Sequence, residues 1–232
     1  IAKENNIWVI LGSSHKLTES NKPHNSLYII NNYGEIVDRY DKLFCAGDNT
    51  YKSNDLAHFS SGNHFSVFEI RGIKCSVQIC HDYRYPELYR ELKKQDVQII
   101  FHSYHAGNMN TDRQNAMEIP FNSELKKINF GKTYPEQTMP STMVSYAGNN
   151  YLWISCSNTS KKESCWASFV VRPDGIIKDS LEKNKEGILI SELDFEKEYY
   201  DSTKFWRERA INGVFFSGEK IKDSKSEKRT EL

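Results

Sequence analysis

Ile73-Lys74-Cys75-Ser76-Val77-Gln78-Ile79-Cys80-His81-Asp82-Tyr83-Arg84-Tyr85-Pro86-Glu87 is the stretch on which the fold turns. Its first seven residues read as a strand that ends at Cys80. Pro86 then opens Pro86-Glu87-Leu88-Tyr89-Arg90-Glu91-Leu92-Lys93-Lys94, with Pro at the first helical position and two cations in the last turn, the marks of a helix start and stop. The apolar run from Val97 to His102 reads as a further, buried strand. Strand, turn, helix, strand is the βαβ order, and it predicts an alternating α/β architecture. A thiol at such a strand-to-helix turn stands above the sheet edge, where the following backbone N–H groups can stabilise a thiolate and an oxyanion. Cys80 is therefore a candidate nucleophile, weighed against the commoner fate of a free cysteine as a small buried apolar side chain.

Working outward, Phe65 to Ile70 and Ile73 to Ile79 pair as a hairpin through Arg71-Gly72. Ser26 to Asn31 and Glu35 to Tyr40 flank Asn32-Tyr33-Gly34 and predict a second hairpin. Trp8-Val9-Ile10-Leu11-Gly12 predicts a strand buried on both faces. Residues 42–63 are rich in Asp, Asn, Ser and Gly and predict a long surface loop, a frequent home of function. Lys42, at the start of that loop, is by itself an ordinary solvated lysine. Downstream, residues 107–140 are polar, with a short helix expected over 115–127 and a loop near Pro135; the segment is either a lid or a plain surface insertion. Residues 141–149 predict a helix, 151–156 a strand, Arg172-Pro173-Asp174-Gly175 the turn of a third hairpin, and 187–193 another strand. Residues 1–218 read as one domain, followed by a charged tail, 219–232, expected to be flexible. The opening Ile1-Ala2-Lys3-Glu4-Asn5-Asn6 reads as the last turn of a helix closed by Asn, so the expectation is a chain that starts inside an element.

Composition narrows the function. The 232 residues hold 31 basic and 31 acidic side chains, with 38% apolar and 27% charged residues, a globular profile. No net charge and no basic stripe argue against nucleic acid or an anionic membrane surface as partner. The longest apolar runs are about five residues, far short of the roughly 20 that span a bilayer. Five cysteines, an odd number at irregular spacing, predict reduced thiols and a cytoplasmic setting. Gly-x-Ser-x-Gly, Walker A and Rossmann glycine patterns are absent, which removes serine-hydrolase and nucleotide-binding readings. His81, His102, His105 and Cys80 could be drawn as a metal site, but His-x-x-His on a loop lacks the paired ligand spacing of zinc patterns, and neither metal nor cofactor is expected.

Read in order, Tyr40-Asp41-Lys42, Ser60-Ser61-Gly62, Cys80-His81-Asp82-Tyr83-Arg84-Tyr85-Pro86-Glu87, Asn150-Tyr151 and Arg172-Pro173-Asp174-Gly175 resemble the nitrilase, or carbon-nitrogen hydrolase, superfamily. The resemblance runs from Ile1 to about Gly218, and Cys-x-Asp-x-Arg-aromatic-Pro-Glu is its most specific part. It implies an α/β fold, a four-layer α-β-β-α sandwich that here lacks its first strands and helix. It also implies a Glu-Lys-Cys triad that hydrolyses amides, carbamoyl groups or nitriles through a covalent intermediate on the thiol. Cys80 is then the nucleophile, Lys42 the cation on the oxyanion, and the His81 N–H a second oxyanion donor. Asp82 and Arg84 are expected to brace the turn as a charge-assisted pair, Tyr83 and His105 to contact substrate, and the Lys42 ammonium to lower the thiol pKa.

Three departures stand out. The family's general-base Glu belongs ahead of Ile1, so this stretch alone is expected to lack its base and to be inactive. A second family Glu falls by spacing on Asp55, with Asp48 as the alternative. Lys42-Leu43-Phe44 replaces the usual Lys-x-His-Leu. The expectation is a cofactor-independent amidase of small amide or carbamoyl molecules, working as a homodimer or higher homo-oligomer. The rivals are a non-catalytic relative that binds through the same cleft, and an amidase domain feeding ammonia to a synthetase.

Overall fold

Two hairpins seed two separate sheets in a computed structural model that describes residues 1–18, 20–47, 54–107, 123–130, 132–228 and 230. β1 (Val9–His15), β2 (His24–Ile30) and β3 (Ile36–Asp41) form an antiparallel three-stranded sheet. β4 (Val67–Ile70), β5 (Ile73–Ile79), β6 (Ile99–Ser103), β7 (Trp153–Ser157), β8 (Phe169–Val171) and β9 (Ile177–Ser180) form a six-stranded sheet in that order. Its centre, β5-β6-β7, is parallel and its flanks are antiparallel. The helices among the described residues are α1 (Ala2–Asn5), α2 (Asn54–His58), α3 (Pro86–Lys94), α4 (Ser123–Ile128), α5 (Tyr134–Asn150), α6 (Arg207–Ile211) and α7 (Ser224–Glu227). The β4-β5 turn runs through Arg71 and Gly72, both left-handed at φ 52° and 83°, as a two-residue hairpin requires.

Alternation along the strands decides the layers. Cys75, Val77 and Ile79 of β5 face the small sheet, where they meet Leu27, Ile29 and Tyr40, and Trp8 stacks on Phe68 with ring centroids 6.0 Å apart. On the opposite face Ile100 and Ile154 pack under Leu88, Tyr89 and Leu92 of α3 and Met139, Met143 and Ala147 of α5. Each aliphatic side chain so buried contributes about 1.5–3 kcal/mol. The result is helices, large sheet, small sheet, with the C-terminal ends of β3, β5 and β6 opening on one side.

Several elements differ from expectation for physical reasons. Among the described residues β1 is an edge strand paired with β2 alone, so Leu11 is 50% exposed and the run is not buried on both faces. The helix expected at 141–149 starts at Tyr134. A capping box opens it: the Thr133 N–H and hydroxyl both donate to Glu136 Oε2 at 2.9 Å, and Pro135 sits in the first turn, where a missing N–H costs nothing. Residues 187–193 are not a paired strand; they run alongside the large sheet with Leu189 and Leu193 packed inward and Ile188 and Ile190 exposed. The loop at 42–63 contains α2, and the charged tail carries one helical turn, capped by the Asp223 carboxylate on the Lys225 N–H at 2.8 Å. Most of the 115–127 helix expectation, and Asp48, lie outside the described residues. Among the described residues no helix is long and apolar enough to cross a membrane.

Candidate active site

Lys42 follows the last residue of β3, and its backbone is held on both sides. Its N–H donates to the Asn25 carbonyl at 2.9 Å, and its carbonyl accepts the Gly62 N–H at 2.8 Å. Any side chain on Gly62 would collide with the Asp41 carbonyl, so this residue must be glycine for the returning loop to close on the strand. Ser60 fastens the same loop through its N–H to the Pro23 carbonyl at 2.8 Å. With the loop pinned, α2 lies over Lys42 and the Lys42 ammonium donates to Asp55 Oδ2, which also accepts the Ala46 N–H at 2.9 Å. The Lys42 side chain is only 3% exposed, and a buried ammonium is tolerable only with such a counter-charge.

Cys80 opens a 3-10 turn, Cys80–Arg84, and adopts φ 46°, a left-handed conformation uncommon for a residue with a side chain. Such geometry persists where the surroundings over-determine it. Asp82 is the main determinant. Fully buried, its carboxylate accepts the Ile79 N–H at 3.0 Å, the Phe44 N–H at 2.8 Å and the Tyr40 hydroxyl at 2.8 Å. It thus ties the turn after β5 to the end of β3 and the segment after Lys42. The expected Asp82–Arg84 pair is not formed: the Arg84 guanidinium lies over the Tyr83 ring, 4.6 Å from its centroid, on the exposed side of the turn. Burial raises the Asp82 pKa, and the three donors and Lys42 act against it.

The Lys42 charge lowers the Cys80 pKa in the expected direction, but it is not the largest influence on the thiol. Burial raises the Cys80 pKa above the ordinary thiol value, and neither the Lys42 charge nor a hydrogen bond from the His105 backbone overcomes it. Burial thus favours the neutral thiol of Cys80. His81 has its pKa lowered, first by burial and then by Lys42, and its ring meets Tyr85 edge-on at 5.5 Å. His102, at the end of β6, places Nε2 3.2 Å from the Cys80 carbonyl oxygen and Nδ1 2.8 Å from the Tyr89 hydroxyl. With both ring nitrogens engaged it has none to offer a metal, and among the described residues no group of three His, Cys, Asp or Glu side chains could hold one.

These groups surround a cavity of about 270 Å³. Lys42, Asp55, Cys80, His81, Tyr83, Arg84 and His105 line it, while Asp82 lies beneath. Tyr83 is half of an aromatic wall: its ring meets Tyr104 and Trp166 edge-on at 6.0 and 6.2 Å, and burial pushes its hydroxyl up to about 12. Trp166, Cys165 and Pro135 also line it. Neither periodicity nor motif marks these three in the chain. The volume suits a small molecule, near the low end of ligand pockets.

The carbon-nitrogen hydrolase family model matches residues 1–199. The chain is 35% identical over 107 residues to a deaminated glutathione amidase of Dictyostelium discoideum, covering 43% of this chain and 37% of that protein. It is 29% identical over 102 residues to the 2-oxoglutaramate amidase of Bacillus subtilis (strain 168), again 43% of this chain and 37% of that protein. The match thus spans little more than a third of the length of these curated relatives. Among solved structures, an amidase from Nesterenkonia sp. AN1 superposes with a TM-score of 0.64 at 16% identity, over 91% of this chain and 71% of that one, a likeness of fold.

Proposed function

Because the chain belongs to the carbon-nitrogen hydrolase family, we propose that it hydrolyses the amide or carbamoyl carbon–nitrogen bond of a small molecule through a thioester on Cys80. The observation that carries this reading is the meeting of Lys42 and Cys80, delivered by different sheets, at one small cavity with Asp55 on the lysine. Amidases among its relatives support the same bond class.

In this mechanism a carboxylate base takes the Cys80 proton, which the raised thiol pKa makes necessary. In the family pattern that base is a Glu. The sulfur attacks the carbonyl carbon, and Lys42 with the His81 N–H stabilises the oxyanion. The C–N bond breaks, and ammonia or an amine leaves with the proton held by the base. Water, deprotonated by the same carboxylate, then attacks the thioester, releasing the acid and restoring the thiol. Asp55 keeps the Lys42 ammonium in place, and Tyr83, Arg84 and His105 shape the substrate side of the cavity. We infer that the enzyme works as a homo-oligomer, the general default being a symmetric dimer, on free cytoplasmic amides.

Hydroxylamine tests the covalent step, because a thioester partitions between water and that nucleophile. With a small amide substrate, the expected outcome is hydroxamate formed at the expense of the acid. Ammonia release with no hydroxamate at any hydroxylamine concentration contradicts the thioester. Amide binding without ammonia release is the signature of a non-catalytic relative.

A further inference from the structure

The reaction proposed above leaves one buried titratable group at the site without a role. His102 is 1% exposed and sits directly beneath the nucleophile turn. Its neighbours fix its chemistry. A carbonyl oxygen only accepts, so the 3.2 Å contact with the Cys80 carbonyl requires the proton on Nε2. Nδ1 is then the acceptor and takes the Tyr89 O–H at 2.8 Å from α3. The ring is clamped flat against Tyr104, with centroids 4.2 Å apart and 12° between planes. Burial pushes the His102 pKa down to about 3, so the neutral tautomer persists over the working range of pH.

The geometry of one peptide unit connects this ring to the chemistry. The bond between Cys80 and His81 is planar, and in a trans unit the Cys80 carbonyl and the His81 N–H point in opposite directions. Cys80 at φ 46° turns that unit sharply at the end of β5, a conformation that needs an external hold. We propose that His102 is a positioning residue: by drawing the Cys80 carbonyl towards β6 it turns the His81 N–H outward to the cavity as an oxyanion donor, with Tyr89 fixing its tautomer. The inference rests on the reading of Cys80 as nucleophile. It also gives a use to the His102-Ser103-Tyr104-His105 run, since the His105 backbone hydrogen-bonds the same thiol from the other end of that run.

The test compares two reactions of one thiol. Amide hydrolysis builds an oxyanion; alkylation of Cys80 by iodoacetamide does not. His102→Phe keeps a ring and removes the donor. Its kcat for amide hydrolysis is expected to fall about 100-fold, the usual cost of a lost oxyanion donor. KM and the alkylation rate are expected to stay within about threefold of the parent. His102→Gln, which can restore an amide N–H, is expected to recover about tenfold of the loss. The inference is overturned if kcat is unchanged in His102→Phe, if hydrolysis and alkylation fall together, or if Gln does no better than Phe. Should His102→Phe fail to fold, Tyr89→Phe decides: a several-fold loss of kcat with unchanged alkylation supports the inference, and an unchanged kcat overturns it. Hydrolysis retained in Cys80→Ala would instead sink the reading of the nucleophile, a result distinct from any of these.

Discussion

Each sheet delivers one reactive group to the cavity, but under different constraints. Cys80 follows β5, which has a strand on either side and a packed layer on both faces. Lys42 follows β3, an edge strand of the small sheet, and depends on a loop pinned at Gly62 and on the carboxylate of Asp55. The difference teaches where strain can be stored. A left-handed nucleophile costs on the order of 1–3 kcal/mol, and only an over-determined core keeps it. A cation that touches an oxyanion needs placement and a counter-charge, which a fastened loop provides.

That contrast predicts separable mutants. Lys42→Ala should lower kcat by about 10²–10³-fold, the range for removing an oxyanion stabiliser, with a much smaller loss of thermal stability. Asp82→Ala should cost roughly 3–5 kcal/mol in denaturant unfolding, because it strands the buried Ile79 N–H, the half-buried Phe44 N–H and the buried Tyr40 hydroxyl together. An Asp82→Ala protein within about 1 kcal/mol of the parent would break the contrast. Within the scaffold, Ile100→Ala in the large sheet should cost about 2–5 kcal/mol and Leu11→Ala on the β1 edge less than about 1. Equal losses at the two positions would mean that β1 is covered in solution.

The pH dependence of stability offers a further test on the large-sheet side of the contrast. His102 has a folded pKa of about 3, below the ordinary histidine value near 6.5. A group depressed in this way contributes stability that is present above the unfolded pKa and lost as pH falls through the folded one. Unfolding free energy should therefore drop by about 2 kcal/mol from pH 7 to pH 5 on account of His102. His102→Gln should flatten that slope, whatever its stability at pH 7; an unchanged slope would place the lost protons elsewhere.

Much of the scaffold was legible locally. Arg71-Gly72, the strand to Ile79 and a helix opened by Pro86 are signals carried within a few residues, and β4, β5 and α3 follow them. α5 was half hidden because Pro135 reads as loop, although Thr133 with Glu136 three residues on is a readable start signal. The environment of β1 was not legible, since Val9-Ile10-Leu11 carries no information on whether a second neighbour strand exists. The same limit applies to the site. Lys42, Cys80 and Asp55 could be named from motif and spacing. The partners of Asp82 and His102 lie 22 to 42 residues away for the longer-range contacts, and the direction of the Cys80 pKa follows from burial that only the packed fold creates.

The central claim is that Cys80 is the nucleophile of amide hydrolysis. Its direct test is ammonia release from a saturating small amide by the full-length protein and by its Cys80→Ala variant, with circular dichroism matched between them. The account predicts a fall of about 10⁴-fold or more. Turnover within tenfold of the parent would contradict it.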